Sequence, residues 1–306
     1  MIRRGVRATD GTMLAVRVHG SATAPVSIVF AHGWTLGAEI WDDVIFLLRD
    51  ALGDHAVNLV SYDCRGHGRS ESGPGSANLE QLADDLRVVI DECAPAGQVI
   101  LVGHSMGGMT LLALAQRHRQ LCTQRVAGAA FVCTSPGRMW YPLKRIPGFY
   151  VVAPRVLGLV NPKRIRASWL TRLGLRHGLF GPDAQTRHLN HTIRQMRSVN
   201  PTVYAELGVS MMRHERADVL PSFATIPTVV FAGTRDHLTP ARHARRMVDG
   251  IDGATLIIEP GARHMVPCER PHSVARELIA LVADATSTSA GERRSSSRAR
   301  VVQRTA

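Results

Sequence analysis

Short, nearly all-apolar runs recur along this chain, several of them ending at glycine, and between them lie stretches whose apolar residues repeat with a helical period. "SIVFAHG" (Ser27–Gly33) predicts a buried strand entering a tight turn. "WDDVIFLLRDAL" (Trp41–Leu52) places Ile45, Leu48 and Leu52 on one helical stripe. "VNLVSY" predicts a second strand, which leads into the Gly-rich loop "DCRGHGRS". "NLEQLADDLRVVIDEC" is amphipathic, with Asn78 placed to cap it. The strand "QVILVGHS", the helix "MGGMTLLALAQRHRQL" and the strand "RVAGAAFVCTSP" follow. Beyond them come the strand "TVVFAGTRD", a helix from about Ala241 to Val248, the strand in "ATLIIEPGARH" and a last helix, "PHSVARELIALVADA". The strands are apolar on both sides rather than alternating. That is the pattern of a parallel sheet covered on both faces. The expected fold class is α/β, a mostly parallel central sheet flanked by helices.

The alternation breaks between Gly137 and Ala217, where Pro, Gly and short helical pieces replace the strand series. This predicts a core over 1–136 and 218–285 with a helical cap inserted at 137–217. From Thr286 the Ser/Thr/Ala/Arg composition cannot bury a core, so 286–306 is expected to be a disordered basic tail. The 306 residues and 45% hydrophobic content suit one large domain with such a lobe.

Charge sharpens this division. The formal net charge is +12, and residues 137–217 hold 14 Lys and Arg against 3 Asp and Glu. The tail adds 5 Arg and 1 Glu, which leaves the remainder slightly acidic. The basic excess therefore belongs to the insert. It is compatible with an anionic substrate or an anionic membrane surface. Nucleic acid is not expected as a partner, because no recognition fold accompanies the Arg/Ser tail.

No apolar stretch approaches the roughly 20 residues of a membrane span. The basic start "MIRRGVRATDG" has no apolar core behind it, which does not read as a secretory signal. Five scattered cysteines show no metal spacing. No metal and no cofactor are expected, and the expected location is the cytoplasm, with a peripheral place at the membrane open to the basic insert.

The candidate chemistry starts at "VGHSMGG". Gly103, Ser105 and Gly107 form a Gly-x-Ser-x-Gly between a predicted strand and helix. Such a turn is sharp, so its flanking residues must be small, and it exposes a serine hydroxyl beside a helix N-terminus. A serine hydroxyl needs a base, and the base needs a partner that fixes its tautomer. Asp236 in "GTRDHLTP" and His264 in "GARHMVP" each follow a predicted strand, in the chain order serine, acid, histidine. Taken singly, Asp236 could cap a helix and His264 could be a surface residue.

Other groups compete. His104 precedes the serine and should point elsewhere. His67 and His32 read as loop organisers, and His237 and His272 as surface residues. Asp252 and Glu259 are alternative acids out of position. Acyl transfer also needs donors for an oxyanion. The amide of Met106 follows the serine, and the amide of Trp34 in "AHGWTLG" follows the turn glycine of an early strand. The Trp34 indole is placed to wall the pocket.

With these motifs the chain resembles the α/β-hydrolase superfamily. The resemblance runs from Asp10 to Ala285 and rests on "HGW", "DCRGHGRS", "GHSMGG", "GTRDHLTP" and "GARHMVPCERP". It implies a Ser105–His264–Asp236 triad, an oxyanion hole at Trp34 and Met106, and a cap between the sixth and seventh core strands. Epoxide hydrolases and haloalkane dehalogenases attack with Asp, so Ser105 argues against both. Cofactor-free haloperoxidases and perhydrolases share "HGW" but typically continue with Pro, where this chain has Thr35. Carbon–carbon bond hydrolases share the triad and cap. "DxRGHGRS" with "GHSMGG" looks like monoacylglycerol lipases and related esterases, although "HGWTLGAEIW" departs from the lipase pattern.

The resulting expectation is a serine hydrolase of carboxylesterase or lipase type, acting on a small hydrophobic or acyl-lipid ester. A carbon–carbon bond hydrolase, a haloperoxidase or perhydrolase, and a non-enzymatic ligand-binding protein of the same fold remain the alternatives. In the cap, "RMWYPLKRIPGFYVVAPRVLGLV" interleaves aromatic and basic residues. It reads either as a lid with an apolar inner side and an arginine-bearing wet side, or as a membrane-facing surface.

Overall fold

The computed structural model describes residues 1–53, 56–139, 145, 147–182, 184–288 and 300–303. One sheet is built from β1 (Ile2–Arg7), β2 (Met13–His19), β3 (Val26–Ala31), β4 (Val57–Tyr62), β5 (Gln98–His104), β6 (Val126–Val132), β7 (Thr228–Gly233), β8 (Thr255–Glu259) and β9 (Arg300–Gln303). Their spatial order is β1-β2-β4-β3-β5-β6-β7-β8-β9. The strands β4, β3, β5, β6, β7, β8 and β9 pair in parallel, in registers such as Val29↔Val60 and Val29↔Leu101. The chain leaves β3 toward β4 on one side and returns to β5 on the other. In an open α/β sheet, a crevice for ligands forms at such a reversal, beyond the strands' carboxyl ends.

The core helices are α1 (Asp42–Leu52), α2 (Leu79–Cys93), α3 (Met106–Arg117), α4 (Arg119–Arg125), α9 (Ala241–Gly250), α10 (Val266–Glu269) and α11 (Pro271–Thr288). Four more, α5 (Phe149–Leu159), α6 (Trp169–Gly178), α7 (Thr186–Ser198) and α8 (Pro201–Arg213), belong to the insert. α1 packs with α11, and α2 with α3, in two buried apolar clusters. β3 and β4 are buried at every position, and the polar Asn58 among them donates to the Ser27 hydroxyl and the Cys93 carbonyl. Asn78 caps α2 by accepting the Gln81 N–H at 2.8 Å.

Three features differ from the sequence expectation. The N-terminal segment forms the antiparallel hairpin β1–β2, and β2 also pairs antiparallel with β4. β1 is exposed except at Val6, so it offers no apolar run to recognise. The helix expected through "MGGMTLLALAQRHRQL" breaks at His118 into α3 and α4. The tail expected to be disordered from 286 instead continues α11 to Thr288 and adds β9 beside β8. Residues 289–299 and 304–306 lie outside the described residues.

The insert leaves the core after β6 and returns before β7. At its neck Gly137 bridges Glu215, and the Arg216 N–H donates to the Pro136 carbonyl at 2.8 Å. No helix among the described residues is long and apolar enough to cross a membrane.

The loop "DCRGHGRS" is fixed by a buried cation. The Arg65 guanidinium is fully buried and forks onto Asp85 of α2 at 2.7 and 2.6 Å, with Asp10 at 2.8 Å. Removing one member of a buried pair leaves the other charge without compensation. Arg65→Met should therefore lower unfolding free energy by about 3–5 kcal/mol in urea titrations. Adding Asp85→Asn to that variant should recover part of the loss. A single-variant change under about 1 kcal/mol would show that the pair does not anchor the loop.

Candidate active site

Ser105 follows β5 directly and is the first flanking residue of α3, with φ 53° and ψ −117°. A side chain in that region is strained by about 1–3 kcal/mol and persists only where its surroundings enforce it. Here the Ser105 N–H donates to the Val132 carbonyl at 2.9 Å, and the Thr134 hydroxyl donates to the Ser105 carbonyl at 2.6 Å. The flanking glycines are required by packing. A Cβ on Gly103 would stand 2.6 Å from the Gly107 carbonyl carbon, and one on Gly107 would collide with the Ala31 carbonyl oxygen. The Met106 N–H is the first of α3, and such N–H groups have no acceptor within their own helix.

Asp236 and His264 lie in the loops after β7 and β8, and the structure brings them together. The His264 Nδ1–H donates to Asp236 Oδ2 at 2.8 Å, with both side chains buried. The carboxylate is fully engaged. Oδ1 accepts the N–H groups of Leu238 and Thr239 at 2.8 and 2.9 Å, and Oδ2 also accepts the Thr239 hydroxyl at 2.7 Å. Burial alone would raise this carboxyl's pKa. The His264 charge and these hydrogen bonds outweigh burial and hold it well below the usual carboxylate range.

His104 ties the serine turn to the histidine loop, since its Nε2 lies 2.9 Å from the His264 carbonyl and the two rings are 4.9 Å apart. It does not point away from the site, as the sequence suggested. Its contact is with the His264 backbone, through a ring of the residue adjoining Ser105. The His264 N–H also donates to Leu179 of the insert at 3.0 Å.

The early loop is held from beneath. His32 donates to the Gly33 carbonyl and accepts the Cys64 N–H, at 2.7 and 2.9 Å. His67 Nε2 accepts the Thr35 N–H at 3.2 Å, and Asp63 Oδ1 accepts the Ala38 N–H at 2.8 Å. Trp34 is turned toward the insert, where its ring stacks on Tyr204 at 4.4 Å and its Nε1–H donates to the Tyr204 carbonyl at 3.2 Å. Burial, the largest influence on each, pushes His32 down to about 4 and His67 and His104 down to about 3. All three are neutral organisers. Thr239, Asp63 and Thr134 were missed by the sequence reading; a polar residue shortly after "GTRD" was the only available hint of the first.

The competing groups sit elsewhere. His237, His272 and Asp252 are exposed, and Glu259 is buried but accepts the Ser273 hydroxyl. A Ser–His contact lies away from Ser105 and His264, Ser135 Oγ to His243 Nδ1 at 2.8 Å. There the serine hydroxyl donates to the Gly137 carbonyl and accepts its N–H, so it closes a turn. Cys133, Asp236 and His264 place one donor atom each within 4.8 Å, the one such group among the described residues. Burial first, then the Asp236 charge, pushes the Cys133 thiol far above its usual range, which opposes the thiolate a metal would need. Thr35, Ser105 and Cys133, each just beyond a strand's carboxyl end, all have positive φ. Backbone strain thus concentrates where the loops converge.

Residues 28–277 match the sequence model described as the alpha/beta hydrolase family. A non-heme haloperoxidase of Rhodococcus erythropolis is 25% identical over 90% of this chain and 98% of its own. The bifunctional esterase/perhydrolase DCH of Acinetobacter calcoaceticus is 24% identical over the same shares. A thermophilic esterase from Thermogutta terrifontis has the same fold, with a TM-score of 0.74 at 23% identity over 93% of this chain and 99% of that one.

Proposed function

The chain belongs to the alpha/beta hydrolase family, and from that premise we propose that it is a serine hydrolase that cleaves hydrophobic carboxylic esters through an acyl-enzyme on Ser105. The observation that carries the reading is the strained Ser105 at the end of β5, on the same sheet edge as the Asp236–His264 hydrogen bond. With Nδ1 bonded to the carboxylate, Nε2 is the nitrogen that takes the serine proton as Oγ attacks the ester carbonyl. Asp236 stabilises the imidazolium. The N–H groups of Trp34 and Met106 receive the oxyanion, and the imidazolium then protonates the departing alcohol. Water, deprotonated by His264, releases the acyl group. The insert acts as a cap. Trp34 stacked on Tyr204 gives it an apolar wall beside the reacting centre, which suits a hydrophobic acyl chain.

The names of two relatives favour a second reading, in which hydrogen peroxide rather than water takes the acyl group. The early loop speaks against it. Thr35 has φ 63° and donates its N–H to His67, so neither the backbone angle nor the missing N–H of a proline would fit here.

A fluorophosphonate probe tests the nucleophile, and p-nitrophenyl esters of increasing chain length test the substrate class. The expected result is one labelled peptide, containing Ser105, with kcat/KM rising from acetyl toward longer acyl groups. Label on another serine removes the assignment. Peracid formation that outruns hydrolysis at equal peroxide and ester supports the second reading.

A further inference from the structure

We propose that the outward faces of α5 and α6 form a docking surface for an anionic lipid bilayer. α5 reads "FYVVAPRVLGL", with Arg155 its only charged residue, yet none of its residues is buried. A helix that is apolar nearly all round normally lies inside a protein or against lipid. Val152, Val156 and Leu159 make an exposed stripe at helical spacing, and Leu159 is 85% exposed. α6 adds Trp169, 69% exposed, with Leu170 beside it. Nine of the thirteen large apolar side chains exposed among the described residues fall between 150 and 173. Scattered surface apolar residues need no explanation, but a concentration in one short segment marks an interaction site.

Charge selects the occupant. Residues 145–182 contain seven Arg and Lys and no Asp or Glu. Arg155, Lys163, Arg164 and Arg166 are exposed on α5 and in the turn that links it to α6. A second copy of the chain, packed face to face, would set this positive surface against itself. An anionic bilayer accepts the apolar side chains below its headgroups and attracts the cations at its surface. Tryptophan at the edge of such a face suits the headgroup layer.

The inner side of α5 joins this surface to the candidate active site. Leu157 seats at Gly208 of α8, where an added Cβ would lie 2.7 Å from Leu157 Cδ1 and 3.2 Å from Trp34 Cζ2. The docking helix is therefore one side chain away from the early loop. A bilayer at its outer face would present acyl chains beside that loop; this last consequence rests on the esterase reading, whereas docking itself does not.

The test is sedimentation of the full chain carrying Ser105→Ala, so that lipid turnover cannot interfere. Vesicles of phosphatidylglycerol mixed with phosphatidylcholine are compared with phosphatidylcholine alone, at low and high salt. The protein should pellet with the anionic vesicles, and less as salt screens the attraction. Val156→Gln/Leu159→Gln/Trp169→Gln keeps every charge and should weaken binding at least about tenfold, because side chains that would enter lipid become polar. Circular dichroism melting checks the fold; should the triple variant melt early, Leu159→Gln alone carries the comparison.

Absence of pelleting with anionic vesicles overturns the proposal. So does equal binding by the variants, which would place the contact on charges elsewhere in the chain. A lipid-free dimer that the triple variant dissociates would assign the face to a second copy and overturn it too. Vesicle binding with no esterase activity in the wild-type chain would uphold docking while refuting the function proposed above.

Discussion

Ser105→Ala should lower kcat for ester hydrolysis by about 10⁴- to 10⁶-fold while leaving KM within a few-fold of wild type. Only the hydroxyl is removed, and the alanine inherits the backbone that Ser105 already occupies at φ 53°. The surrounding hydrogen bonds use the Ser105 main chain, to Val132 and from Thr134, so the turn keeps its supports. Thermal unfolding should consequently change little. Without the hydroxyl no acyl-enzyme forms, and the remaining rate comes from binding and oxyanion donors acting on water. Burst kinetics with a p-nitrophenyl ester separates the outcomes, since the wild type should release a stoichiometric burst where acylation outpaces deacylation and the variant none. A loss smaller than tenfold would require another nucleophile. Ser135, 2.8 Å from His243, would be the first to examine.

The elements that the sequence made legible share one property: their residues report their own surroundings. β3, β5, β7 and β8 are apolar because they are buried on both faces, and the turn at Gly103–Gly107 is small because backbone passes against it. Ser105, Asp236 and His264 could be singled out as candidates because each follows the carboxyl end of a strand. β1 was not readable, since an exposed edge strand needs no apolar pattern. Nor was β9, whose pairing depends on where β8 lies in space. The supports of the site were hidden for a similar reason. His67 holds Thr35 across 32 positions, and His104 meets His264 across 160. Neither contact leaves a local signature, because a polar group chosen to satisfy a distant backbone atom looks like any loop residue. The apolar run of α5 left two readings open, since an amphipathic lid and a lipid-facing helix use the same residues.

Asp236→Asn should reduce kcat by about 10⁴-fold in a protein that still folds. The hydrogen bonds dictate how the amide will sit. Oδ1 accepts two backbone N–H groups, from Leu238 and Thr239, so the amide oxygen must take that position. The NH₂ group then replaces Oδ2 and points a donor at His264 Nδ1. That nitrogen must become an acceptor, which moves the imidazole proton to Nε2, the atom that has to receive a proton from Ser105. The base is lost through its tautomer with no change in shape. The pH dependence follows from the same contacts. Asp236 is held ionised, and His32, His67 and His104 remain neutral down to about 4 or below, so none of these four groups changes charge near neutral pH. For stability, a carboxyl with a depressed folded pKa contributes above its unfolded value and loses the contribution as pH falls through the folded one. The stability gap between wild type and Asp236→Asn should therefore narrow below the ordinary carboxylate range. Urea midpoints at neutral and acidic pH measure the gap, and steady-state rates measure the loss. A variant that keeps more than about a tenth of wild-type kcat would show that His264 is oriented by something other than Asp236.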